Sequence, residues 1–297
     1  MKVFVTGATG WVGSAIVQEL LGAGHQVLGL VRSEANAQAL AAAGGTPLRG
    51  SLNDLDSLRR GAAQADGIIH TAFGLDLADI AKSGAEEQQA IATFGEVLAG
   101  SDRPLIATSG LGFAPVGQPM TEISALSEIE IPGFPRHPER AVQAIAAQGV
   151  RATVVRLPRS VHGANEQHGF MPMLIRLARE KGVSAYVGDG QNLWPSVHRL
   201  DAARVFCLAL EQGAQGGPFH AVAEEGIPFR AIAEAIGRLL HLPVVSQSPE
   251  EAAAHFGPIA LFTAGNGPAA SEQTRARLGW QPTQPGLIAD LADYNVS

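Results

Sequence analysis

Apolar and polar positions in the first half of the chain alternate between a period of two and a period near 3.6. The run KVFVT at 2–6 is β-branched and stops at a glycine, which predicts a strand and a tight turn. From 11 to 24, Val12, Ile16, Val17, Leu20 and Leu21 recur at helical spacing, with Gly22 and Gly24 as a stop. The pattern then repeats. HQVLGLV (25–31), TPLRG (46–50), GIIHTA (67–72) and PLIATSG (104–110) read as strands. Residues 34–44, 54–62 and 76–100 read as the helices between them. Strands alternating with helices across short turns predict an α/β fold, a doubly wound parallel sheet with helices on both faces.

The rhythm loosens later. Residues 111–136 are rich in Pro, Gly and isolated acids and predict a loop over the site, followed by a helix at 139–149 and a sixth strand at 150–158. Beyond Pro158 the pattern predicts an amphipathic helix at 171–182, a turn at 186–192, a helix at 200–213, a late strand at 217–223 and helices at 228–240 and 286–294. No repeat or low-complexity linker separates the halves. The expected organisation is a nucleotide-binding domain at 1–157, to which the strand and helix near 195–223 return. Residues 158–297 then form mostly a smaller substrate-binding lobe.

Composition narrows the function. The 297 residues carry 21 Lys+Arg against 28 Asp+Glu, a formal net charge of −7, which argues against a surface that neutralises nucleic-acid phosphates. Hydrophobic residues at 46% exclude a disordered chain, and no apolar run approaches the length needed to cross a bilayer. The first glycine interrupts the N-terminus after six residues, too early for a signal-peptide core. Cys207 is the sole cysteine, so no intrachain disulfide forms, which fits a cytoplasmic protein. Within RVFCLALE, Cys207 reads as a small buried apolar residue.

The chemistry starts at the first strand-to-helix turn, Gly7-Ala8-Thr9-Gly10-Trp11-Val12-Gly13. Gly7 permits a sharp turn, Gly10 a close approach of backbone to a pyrophosphate, and Gly13 close packing of helix on strand. The helix N-terminus offers unpaired N–H groups to the phosphates. Thr9, Trp11 and Val12 complete the loop. At the end of the second strand, where NAD-preferring enzymes place a carboxylate, this chain has Arg32 beside Ser33. A guanidinium fork suits a 2′-phosphate, so NADP(H) is preferred, with NAD(H) the other option. No spaced His, Cys or carboxylate set predicts a metal.

These residues resemble the short-chain dehydrogenase/reductase superfamily, in its extended, epimerase-like or atypical branch. Thr6-Gly7-x-x-Gly10-x-x-Gly13 matches that branch, and further matches follow in the family's order along most of the chain. Gly50-Ser51-Leu52-Asn53-Asp54 resembles the turn beside the adenine, with Ser51 in place of the usual acid. His70-Thr71-Ala72 resembles the segment whose backbone lies along the cofactor. Thr108-Ser109-Gly110 resembles the strand end that carries the active-site hydroxyl. Arg156-Leu157-Pro158 with Val161-His162-Gly163 resembles the stretch near the nicotinamide, and Val197-His198-Arg199-Leu200-Asp201 the segment that opens a C-terminal helix. The resemblance also implies a substrate cleft lined by His162, His168, Phe170 and Trp194, and a homodimer through the helices at 76–100 and 137–149.

The family's catalytic Tyr-x-x-x-Lys is missing. The two tyrosines are Tyr186, with Gly190 four residues on, and Tyr294, too close to the end. Where the motif belongs stands Phe134-Pro135-Arg136-His137-Pro138-Glu139-Arg140, which resembles an atypical subgroup with basic residues in those places. A histidine can deliver a proton near neutral pH and an arginine can stabilise an oxyanion. The expected site is therefore His137 as proton donor, Arg140 or Arg136 as electrostatic support, and Ser109 or Thr108 as hydrogen-bond donor. The function expected is an NADP(H)-dependent oxidoreductase of a small organic carbonyl or alcohol. The alternatives are a non-catalytic NADP(H)-binding sensor and a nucleotide-sugar epimerase or dehydratase. His198 with Asp201, three apart at a helix start, is expected to cap or orient rather than catalyse.

Overall fold

The computed structural model describes residues 1–74, 79–114, 117–126, 130–131, 134–292 and 294. Seven parallel strands form the main sheet. Six come from the first half: β1 (Lys2–Thr6), β2 (Gln26–Val31), β3 (Thr46–Arg49), β4 (Gly67–His70), β5 (Leu105–Gly110) and β6 (Ala152–Leu157). The lobe contributes β7 (Ser160–His162), β8 (Ser184–Val187) and β9 (Leu193–His198). The seventh strand of the main sheet is β10 (Phe219–His220). The order is β10-β6-β5-β4-β1-β2-β3, which reverses direction at β1 and opens a crevice there.

Both faces of the sheet are buried, and β1 shows why its residues run apolar without alternation. Val3 and Val5 face one layer with Ile16, Leu20, Phe206 and Leu210. Phe4 faces the other with Leu58, Phe94, Leu105 and Val154. The helices of the first layer are α1 (Trp11–Gly22) and, from far along the chain, Arg199–Glu211, which packs along α1. The second layer holds Leu55–Ala63, Ile80–Leu98 and Pro138–Ala146. Cys207 is buried against α1, and burial pushes its thiol up to about 12.

The lobe is built differently. β9 pairs with β7 in parallel and with β11 (Glu224–Pro228) in antiparallel fashion, and β8 pairs in parallel with β12 (Val244–Gln247). Its core gathers Met171, Trp194, Phe229, Ile232, Phe256, Leu287 and Leu291. Met120 bridges to Ala269 in this lobe, while 115–116, 127–129 and 132–133 of the loop expected over 111–136 lie outside the described residues. The strand expected over 217–223 is confined to two residues, because the chain leaves the sheet edge for the turn before β11. Helices at Pro249–Phe256, Ala260–Ala264 and Glu272–Leu278 lie where no periodic pattern predicts them. No described helix is long and apolar enough to cross a membrane.

Candidate functional site

The turn after β1 is shaped by what it excludes. Gly7 has φ +72°, and a Cβ there would lie 2.7 Å from the Thr71 hydroxyl. A Cβ on Gly13 would lie 2.0 Å from the Gly7 carbonyl oxygen. The loop is thus side-chain-free because backbone fills the space that side chains would need. Gly10 is the N-cap of α1 and makes no side-chain cap bond, so the first N–H groups of the helix remain available to an anion.

Beside this loop lies a cavity of about 650 Å³. It is lined by Gly7, Thr9, Gly10, Trp11, Val12 and Gly13, by Arg32, Ser51 and Leu52, and by Thr71 and Ala72. Asn53 of the turn expected beside the adenine also lines it, as do Phe73, Asn36 and Glu86, which carry no earlier expectation. Arg32 is exposed at the rim and also borders an adjoining cleft that contains Lys82. A loop that a Cβ would block, an uncapped helix start and a cation at the far rim together fit a dinucleotide. Trp11 supports the loop: its indole N–H donates to the Val161 carbonyl (2.6 Å), and the Arg199 guanidinium lies 4.1 Å from its ring while donating to Ser14 (2.9 Å).

Four residues expected at the cofactor do not line this cavity. The Ser33 hydroxyl caps the next helix by accepting from the Asn36 N–H (3.2 Å). His70 is buried, its Nδ1 bonded to the Thr6 hydroxyl (2.7 Å) and its ring edge-on to Phe94. Burial, aided by Arg136, lowers it to about 3, so it stays neutral. Pro158 is buried, and Val161 offers its carbonyl to Trp11; neither lines the cavity.

A second, smaller cavity of about 80 Å³ opens at the end of β5. Ser109 lines it with Leu111, Leu126, Phe134, Arg136, His137 and Glu139. Thr108, next along the strand, turns the other way and donates to the His70 carbonyl (3.1 Å), so the hydroxyl in the cavity is Ser109.

Each cation at this site is matched by a carboxylate. Arg136 donates from Nε (2.9 Å) and Nη2 (2.6 Å) to Glu87, which projects from the helix Ile80–Leu98. Its guanidinium also stacks 4.2 Å from the Phe73 ring. His137 Nδ1 donates to Glu130 (3.0 Å), as does Arg140 through Nε (2.7 Å) and Nη2 (2.5 Å). The Arg140 bonds, then the His137 charge, hold the Glu130 carboxyl below the usual range despite partial burial. With Nδ1 engaged, the His137 Nε2 is the nitrogen left to exchange a proton. Arg140 itself does not line the cavity; it holds Glu130 from the outside. Beneath the cavity, buried Arg156 forks onto Glu139 (3.0 and 2.6 Å) and donates to His220 Nε2 (3.2 Å). Glu87 and Glu130 have no place in the expected site. Glu87 did leave a trace: it interrupts the apolar stripe Gly84, Ala90, Ile91 and Phe94 of its helix with a carboxylate.

Of the residues expected to form the substrate cleft, Phe170 and Trp194 touch each other, and none of the four lines either cavity. His162 is buried, with Nδ1 bonded to Asp290 (2.7 Å) and its ring against His198. Trp194 is buried in the lobe core, where its indole N–H donates to Ser160 (2.8 Å). Phe170 packs on Trp194 and Phe262, and His168 is exposed. His198 caps its helix through the Leu200 N–H, while buried Asp201 accepts from the Thr283 and Gln284 N–H groups.

Comparison with known proteins identifies the family. A model described as NAD(P)H-binding matches residues 7–186. The chain belongs to this family. It is similar to the fission-yeast protein C2A9.02 from Schizosaccharomyces pombe, 52% identical over 98% of both chains. It is 41% identical to YLL056C from Saccharomyces cerevisiae over the whole of both. It is also 30% identical to a 2-alkyl-3-oxoalkanoate reductase from Stenotrophomonas maltophilia, over 73% of this chain and 67% of that one. Among solved structures, a nucleoside-diphosphate-sugar epimerase from Pseudomonas aeruginosa superposes with a TM-score of 0.78 at 17% identity, covering 98% of this chain and 95% of that one. A dTDP-glucose 4,6-dehydratase from Streptomyces venezuelae, with NAD bound, superposes with a TM-score of 0.77 at 19% identity and the same coverage. This NAD(P)H-binding protein belongs to the short-chain dehydrogenase/reductase superfamily, shares the fold of the epimerase and dehydratase structures, and has no Tyr-x-x-x-Lys in its sequence.

Proposed function

We propose that the protein is an NADP(H)-dependent oxidoreductase that acts on a small organic carbonyl or alcohol. The observation that carries the reading is the meeting, in one cavity, of the Ser109 hydroxyl, the His137 imidazole and the Arg136 guanidinium. A reductase named for an oxo acid among the relatives supports it. A bound nicotinamide would supply the hydride chemistry. The glycine loop and the start of α1 would hold its phosphates, and Arg32 the 2′-phosphate.

The protein's own groups do the rest. Ser109 donates a hydrogen bond to the substrate oxygen, and Arg136 stabilises negative charge as it develops there. His137, held through Nδ1 by Glu130, delivers the proton from Nε2. Work in the cytoplasm on a small-molecule substrate, as a homodimer through Ile80–Leu98 and Pro138–Ala146, belongs to the same proposal.

Calorimetric titration of wild type and Arg32→Ala with NADPH and NADH tests the cofactor assignment. Loss of the fork should weaken NADPH about 10- to 100-fold and leave NADH nearly unchanged; equal losses refute it. For the chemistry, His137→Ala should lose turnover while it keeps NADPH affinity, and full activity removes His137 from the mechanism.

A further inference from the structure

We propose that Glu87 is a positioning residue for Arg136, aiming Nη1, which has no partner among the described residues, at the reacting oxygen of the substrate. The inference rests on the oxidoreductase reading above and adds a residue to it.

Three contacts fix Arg136 from three directions. Glu87 takes Nε and Nη2 in a two-pronged pair, which leaves Nη1 on the opposite edge of the guanidinium plane. The Phe73 ring covers one face of that plane. The backbone before Arg136 rests on the helix that carries Glu87: a Cβ at Gly84, one turn earlier, would lie 2.2 Å from the Pro135 carbonyl oxygen. Phe73 lines the dinucleotide cavity and Arg136 the smaller one, so the guanidinium stands where the two meet.

Burial separates this pair from its neighbours. The Glu87 side chain is 2% exposed and that of Arg136 is 18%, whereas Arg140 on Glu130 is 60% exposed. A buried ion pair is a poor device for stability alone, because apolar residues of like volume hold a helix to a loop as well or better. It is a good device for fixing the direction of a charge. Burial also pushes the Glu87 carboxyl upward, and Arg136 opposes the rise.

The test is a mutant cycle on the whole protein. The readouts are kcat and KM for NADPH, with 2-heptanone, diacetyl and 4-nitrobenzaldehyde as probe substrates. Arg136→Ala should lower kcat about 100-fold with KM for NADPH within about threefold of wild type. Glu87→Gln, nearly isosteric, should lower kcat about 10-fold, and Glu87→Asp should recover part of the loss. In the Arg136→Ala background, Glu87→Gln should change nothing further, because a residue that acts through Arg136 has nothing left to aim. Wild-type kcat in Glu87→Gln, or losses that add in the double variant, overturn the inference while the reductase reading stands. Wild-type kcat in Arg136→Ala, or no reduction of any probe by the wild type, overturns that reading and this inference with it. If Glu87→Gln does not fold, Arg136→Lys keeps the charge and loses the fork; it should show the same drop in kcat, and wild-type turnover there is equally fatal.

Discussion

The two cavities are made of different material. The larger one is backbone: three glycines, a helix start without a cap, and strand ends that leave room for phosphates. The smaller one is side chains, in ion pairs whose partners lie 49 residues apart (Glu87 and Arg136), 10 apart (Glu130 and Arg140) and 17 apart (Glu139 and Arg156). A site made of backbone is fixed by local spacing and tolerates almost no change at its glycines. A site made of paired side chains depends on which elements the fold brings together, and its partners can be exchanged only in concert.

The largest effect that could break this contrast sits in the glycine loop. Gly13→Val drives a side chain into the Gly7 backbone and should abolish measurable NADPH binding, read by calorimetry. Gly22→Ala at the other end of α1 meets nothing within 4 Å and should leave binding intact. If both variants bind alike, the loop is not a close backbone seat.

Next in size is the buried pair under the smaller cavity. Arg156→Ala leaves Glu139 charged and buried, and should cost about 3–5 kcal/mol in urea unfolding. Arg140→Ala, at the solvent edge, should leave the urea midpoint unchanged.

Per pH unit the smallest effect is in the pH dependence, and its sign differs between the two halves. His70 falls to about 3 from 6.5 because it is buried and near Arg136. The unfolded chain therefore binds the extra proton, and stability declines as pH drops from 6.5 toward 3, with a slope up to about 1.4 kcal/mol per pH unit. Glu166 in the lobe is pushed up to about 7 by burial, so its contribution is present at acid pH and is lost as pH rises from 4.5 through 7. Urea unfolding across pH 4–7 should show the slope reduced in His70→Asn and shifted the opposite way in Glu166→Gln. Matching shifts would refute the assignment.

The parts of the molecule visible in sequence follow the same division. The β/α alternation and the glycine loop are written in neighbouring residues, where period and steric exclusion act over a single turn. The lobe's β8 and β12 and the helices between Ser248 and Leu278 are too short to carry a period that sequence reading could find. Within the site, parity decided what spacing could not. Thr108 and Ser109 are adjacent hydroxyls on one strand, and only pairing in the sheet determines which enters the cavity. His70 and Thr71 differ in the same way: one is sealed against Phe94, the other faces the dinucleotide cavity. Trp194 and His162 carry the chemistry of a binding surface, yet the fold uses them as core, bonded to Ser160 and Asp290. The carboxylates that organise Arg136 and His137 come from a distant helix and a loop, so no local pattern marks them.

The edge of the main sheet is closed by β10, and one of its faces by Arg199–Glu211, both from beyond residue 190. Cutting the chain after β6 would bare that strand's outer edge and the apolar side of α1, an invitation to aggregate. A chimera that exchanges the lobe must therefore keep 199–220 with the nucleotide half, splicing around that segment rather than through it.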